Sequence, residues 1–243
     1  MGCGPCAIIN SYLASESSKP LNHLNGKTNL DKVQTLIDDY GSVPSIYYGD
    51  AQMAYSPTKG TTDIDLLAMI NSLSRDCGLL SLVGEHVMRK SGESQEEFIN
   101  RIQKCISTSI ANGFHPLIIV RPVVAEYNAS KKKYLWEGKS GHWVAIHRVG
   151  ALDQQSSGFS IEYSDSLTGE LKTGIAYSEM DRKAVVPLRF TIDEKGKHDW
   201  EWVPNTQTLT LFAPNMPLAT KEAKWNERSF IAIRYLIYQP VEQ

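Results

Sequence analysis

The chain predicts an α+β fold on three observations. Its first 113 residues place apolar side chains at helical spacing, the remainder carries β-branched and aromatic runs broken by turn residues, and the change falls at Gly113. Helices gathered in one half and strands in the other argue against an alternating βαβ order with a parallel sheet. The expectation is one domain, with residues 1–113 as a mainly helical lobe and 114–243 as a mainly antiparallel sheet lobe.

A first helix opens at the pair Cys3 and Cys6 and runs through Ala7 to Ala14. Asn29, followed by Asp31 and Lys32, caps a second that reaches Tyr40, where Gly41 and Pro44 close it. A third spans Asp63 to Cys77, with Leu66, Ile70, Leu73 and Cys77 on one stripe and Gly78 as its stop. The fourth begins at Ser94, has Glu97 as capping-box partner, and shows Phe98, Ile99, Ile102, Ile106 and Ile110 on one face. Strands follow at 116–124, 142–149, 159–164, 184–192, 206–212 and 229–238, separated by turn signals such as Leu167-Thr168-Gly169 and Glu194-Lys195-Gly196. Lys131-Lys132-Lys133 reads as a solvated hairpin tip, and Trp200 and Trp202 as packing on one strand face.

Composition narrows the function classes. With 25 basic and 27 acidic side chains the net charge is -2, which supplies no global field for nucleic acid or an anionic membrane. No apolar run approaches a membrane span, and residues 1–15 lack a basic, cleavable leader, which points to the cytoplasm or to export by a non-classical route. The Met-Gly-Cys start departs from the acylation motif at Cys6, where Ser or Thr is required. Four cysteines are too few for a disulfide scaffold, and Cys77 and Cys105 fall on or beside apolar stripes as small core residues. The histidines share no ligand spacing with each other or with the cysteines, so no metal and no cofactor is expected.

The stretch Cys3-Gly4-Pro5-Cys6 poses a choice between a redox dithiol and one nucleophilic cysteine with a companion. A dithiol of that spelling belongs after a strand inside a βαβ unit, and only Met1 and Gly2 stand before it here. A nucleophile needs other company: a helix N-terminus to lower its pKa, a histidine to take the proton, and a carboxylate or amide to orient the histidine. His142 begins a strand in Gly141-His142-Trp143-Val144, and Asp165 ends the next strand. A hairpin joining those strands brings the start of one beside the end of the other.

Cys3-Gly4-Pro5 with the aliphatic run Ala7-Ile8-Ile9, the segment His115-Pro116-Leu117-Ile118-Ile119-Val120, Gly141-His142-Trp143-Val144-Ala145-Ile146 and the strand into Asp165 together resemble the papain-like cysteine peptidases. The nearest branch is the bacteriocin-processing type, and the resemblance covers residues 3–15 and about 105–169. It implies a papain-like fold and a thiol protease with a catalytic triad of Cys3 as nucleophile, His142 as base and then acid, and Asp165 as the acceptor that fixes the tautomer. Its partner would be a peptide or protein substrate. By the papain spelling itself, Cys6 would attack; Cys-Gly-Pro before an aliphatic run favours Cys3. The family takes a second oxyanion donor from a glutamine upstream of the nucleophile, for which this chain offers Gln52 or Asn112 as replacements. The same triad also serves acyl transfer, as in phytochelatin synthases, and a thiol-disulfide oxidoreductase built on both cysteines is the reading from another class.

Overall fold

The computed structural model describes residues 2–130, 132–138, 140–153, 157–179, 185–192, 198–204, 209–216 and 229–240, with the side chains of 133, 134, 136, 137, 185–192, 198–204 and 229 left aside. The expected corner at Glu194-Lys195-Gly196, the tip residue Lys131 and the start of the 206–212 strand lie outside the described residues, and the packing of Trp200 and Trp202 is likewise not described.

Among the described residues the α-helices are α1 (Cys3–Ala14), α2 (Lys19–His23), α3 (Asn29–Leu36), α4 (Asp63–Asp76) and α5 (Gln95–Ala111). Two short hairpins, β1 (Pro44–Ser45) with β2 (Gly49–Met53) and β3 (Tyr55–Ser56) with β4 (Gly60–Thr61), fill the span between α3 and α4. The remaining strands are β5 (Val83–His86), β6 (Leu117–Asn128), β7 (Lys133–Gly138), β8 (His142–Val149), β9 (Gly158–Asp165), β10 (Leu171–Tyr177), β11 (Val185–Ile192), β12 (His198–Pro204), β13 (Leu211–Phe212) and β14 (Ser229–Tyr238). Local chemistry explains the helix starts. Thr28 with Asp31, and Ser94 with Glu97, form complete capping boxes before α3 and α5. Thr62 accepts from the Asp65 N–H to cap α4. The second helix therefore starts one residue earlier than Asn29 as cap would give, and it passes into a π-turn at Ile37–Gly41.

The sheet overturns the predicted architecture. Strands β6, β8, β9, β10, β13 and β14 pair antiparallel in that order, and β14 returns to pair with β6, from Ser229↔Val124 to Ile237↔Leu117. The result is a closed six-stranded antiparallel barrel, with β5 added along β14 and β7 along β6. The α+β, papain-like arrangement of a helical lobe facing a sheet lobe is thus incorrect, for a physical reason: the helices have no core of their own. Ile8 and Ile9 of α1 and Leu66 and Ile70 of α4 are buried together with Leu117, Ile119, Trp143 and Ala145 of the barrel wall. On the other face of the same strands, Ile118, Val120, Val144 and Ile146 pack with Phe98, Ile102 and Ile106 of α5. Neighbouring residues of β6 and β8 thus serve opposite cores, as the two-residue period of a strand requires. Strand β5 comes from the first half of the chain and joins the large sheet.

Helix α1 lies directly on the wall. A Cβ at Gly4 would stand 2.5 Å from Thr61 Cγ2 and 3.0 Å from Leu66 Cδ1, so the helix start approaches α4 and β4 as closely as glycine permits. Pro5 sits in the first turn, where its missing N–H has no intrahelical partner to lose. Substituting Gly4→Ala, which would favour an isolated helix, is expected to destabilise this chain by about 1–3 kcal/mol through overpacking, read from the shift in urea midpoint at unchanged slope.

Candidate active site

Cys3 is the first residue of α1, where the N–H groups of the opening turn lack helical acceptors and the dipole favours an anion. His142 is the first residue of β8 and Asp165 the last of β9. Their strands pair with Val144 opposite Asp165, which sets the histidine ring over the carboxylate on one face of the sheet. His142 Nε2 and Asp165 Oδ1 are 2.8 Å apart. His142 is 0% and Asp165 2% exposed, while Cys3 keeps part of its surface in solvent. The structure therefore brings all three predicted residues together, with the thiol as the accessible member.

The carboxylate is held from three sides. Besides the imidazole, Asp165 Oδ1 accepts from the Leu167 N–H at 2.9 Å, and Oδ2 accepts from Lys172 Nζ at 2.6 Å. Burial pushes the acid up, but Lys172, the Leu167 N–H and His142 outweigh it and hold Asp165 below the usual carboxylate range. Burial likewise pushes His142 down, and hydrogen bonding to Cys3 and Asp165 more than reverses it, so the imidazolium is favoured. Nδ1 of His142 is buried and, among the described residues, no hydrogen-bond partner meets it, while the Cys3 thiol is a neighbour that favours the charged ring.

The two cysteines part company here. For Cys3 burial acts upward, and hydrogen bonding to His142, the Trp143 N–H, the imidazole charge and the Gly4 N–H together bring the thiol below its ordinary value. For Cys6, burial and the proximity of Cys3 both act upward. Both are free thiols. Trp143 belongs to the core: it is 1% exposed and meets Tyr235 edge-on at 6.4 Å. Its main chain serves the site, through the N–H that faces Cys3 and the carbonyl that accepts from Ser166 Oγ at 2.6 Å.

Of the two replacements for the upstream glutamine, Asn112 stands away from the thiol. Asn112 is the C-cap of α5 and lines a cavity of about 270 Å³ with Tyr12 and Glu16, at the far end of α1 from Cys3. Gln52 lies on β2, and among the described residues its amide makes no hydrogen bond. Two residues that the sequence did not mark do belong to the site. Lys172 follows Asp165 across the β9–β10 turn, in a lysine-bearing strand start that reads as ordinary surface. Tyr55 sets its hydroxyl 3.9 Å from where a Gly2 Cβ would be, and Cys6 Sγ lies 3.8 Å from the same point; burial and the two thiols push its phenol up. Among the described residues no group of three or more His, Cys, Asp or Glu is arranged to hold a metal ion, and no helix is long and apolar enough to cross a membrane.

Comparison with protein families, with curated proteins and with solved structures finds no match to this chain.

The thiol geometry sets a pH dependence. Because the Cys3 pKa is lowered from 9.0 and that of Cys6 is raised from it, iodoacetamide at neutral pH should label Cys3 far ahead of Cys6, as located by mass spectrometry. In His142→Ala the upward push of burial stays while its largest opposing contact goes, so the Cys3 labelling profile should move to higher pH than in the wild type.

Proposed function

We propose that this chain is a cysteine peptidase that hydrolyses a peptide or isopeptide bond through Cys3, His142 and Asp165. The observation that carries the reading is the series from a half-buried thiol, through a buried imidazole, to a carboxylate that is itself fixed by Lys172 and a backbone N–H. The reading rests on these residues and their order; the barrel gives it no support by analogy.

The chemistry follows from the geometry. The Cys3 thiolate attacks the carbonyl carbon, and the oxyanion forms next to the N–H groups at the start of α1. The imidazolium of His142 passes its proton to the leaving amine, the C–N bond breaks, and an acyl-thioester remains on Cys3. Water then attacks with His142 as base, the C–S bond breaks, and the thiolate and imidazolium are restored. Asp165 keeps its charge throughout and holds the ring in the tautomer whose Nδ1 faces sulfur.

The test is digestion of a complex peptide mixture with wild type and Cys3→Ala, followed by mass spectrometry of new N-termini. Cleavage by the wild type alone, with a covalent acyl adduct on Cys3 and a fall of roughly a hundred- to ten-thousandfold in His142→Ala, is expected. If acyl groups instead appear on an added amine or thiol, the enzyme is a transferase. Insulin reduction that needs both Cys3 and Cys6 and ignores His142→Ala would replace the proposal with a dithiol oxidoreductase.

A further inference from the structure

Beside the residue that leads into His142 lies a charge that the triad does not use. Arg121 follows Val120 on β6, and Val120 is paired in register with His142 on β8. Antiparallel pairing puts Arg121 across from the residues that lead into His142. Two of these are glycines: a Cβ at Gly138 would stand 3.3 Å from Arg121 Cδ, a tight contact, and one at Gly141 would stand 3.5 Å from Arg121 Nε, in van der Waals contact. The arginine side chain thus runs alongside Gly138 and Gly141, and its head lies against the residue that precedes the base. Nε of Arg121 is buried, and among the described residues no acceptor meets it. A desolvated N–H on a cation with no acceptor is costly, and a guanidinium edge has the planar, two-pronged shape that matches a carboxylate.

A second guanidinium strengthens the local potential. Arg234, in β14 and 5% exposed, lies where burial and the nearby Arg121 both push its pKa down. Asp63, at the first residue of α4, is the acidic neighbour of this region, acting on Arg234, Tyr47 and His86.

We propose that Arg121, with Arg234 behind it, forms a subsite that binds a carboxylate of the substrate on the side of the site where the chain leads into His142. The inference rests on Cys3 being the nucleophile and adds the substrate class: an acidic side chain or a free C-terminal carboxylate within about one to two residues of the scissile carbonyl, given the reach of an extended chain.

The experiment uses alkylating peptides in which the Cys3 thiolate displaces chloride. Chloroacetyl-Gly-Glu-amide is compared with its Gln counterpart, and chloroacetyl-Gly-Ala as free acid with its amide, by rates of Cys3 labelling on the full chain. In at least one pair the carboxylate should react about tenfold faster, the gain of one charge-assisted contact, and which pair does so tells side chain from terminus. The rate ratio should fall toward one in Arg121→Gln and rise in Asp63→Asn, which removes the opposing charge. Equal rates in both wild-type pairs, or a preference that survives in folded Arg121→Gln, overturn the subsite. Should Arg121→Gln fail to fold, an unchanged ratio in Asp63→Asn overturns it and an increased ratio supports it. If no probe labels wild-type Cys3, the nucleophile reading itself fails.

Discussion

Strand β6 is bonded along both edges and buried on both faces, and the rest of the structure hangs from that fact. One edge takes β8 and β7, the other takes β14 and so closes the barrel. One face packs with α5 and the other with the helices that include α1. A strand so constrained cannot slip by one residue without sending Ile118 and Val120 to the wrong core. The same register therefore fixes where His142 stands, and the seating of α1 on the opposite face fixes where Cys3 meets it.

The site works against its own burial. An imidazolium and a carboxylate withdrawn from water would both neutralise if isolated. Here each charged form is favoured because every member has a partner: the thiolate has the imidazolium and two backbone N–H groups, the imidazolium has Asp165, and Asp165 has Lys172 and the Leu167 N–H. Desolvation strengthens each of these contacts while demanding them. Cys6, one turn along the same helix, has burial without comparable partners and stays a thiol.

Much of the local structure was legible in the sequence, and the reasons are local. The Ser94–Glu97 box, the stripe from Phe98 to Ile106, and the bounds of the 142–149 and 229–238 strands are all set by neighbours within a few residues. So is the meeting of His142 and Asp165, since a hairpin brings those strand ends together. Barrel closure was not legible, because the pairing of Ser229 with Val124 spans more than a hundred residues and leaves no mark on either strand's own alternation. Strand β10 was missed because Leu171–Tyr177 contains Gly174, whose bare backbone receives Met216 from a distant segment. The apolar faces of α1 and α4 do announce burial, yet nothing in them says whether the partner is another helix or a barrel wall. That ambiguity produced the mistaken helical lobe.

Lys172 is a solvent-facing side chain on the Asp165 carboxylate, and it alters how the centre looks from a distance. With a thiolate, an imidazolium, a carboxylate and an ammonium in contact, the four charges cancel. Beyond a Debye length of about 8 Å in physiological salt, the centre exerts almost no pull or push on an approaching molecule. Encounter with substrate is then governed by diffusion and shape at the groove, and any sorting of substrates by charge takes place only after they have arrived.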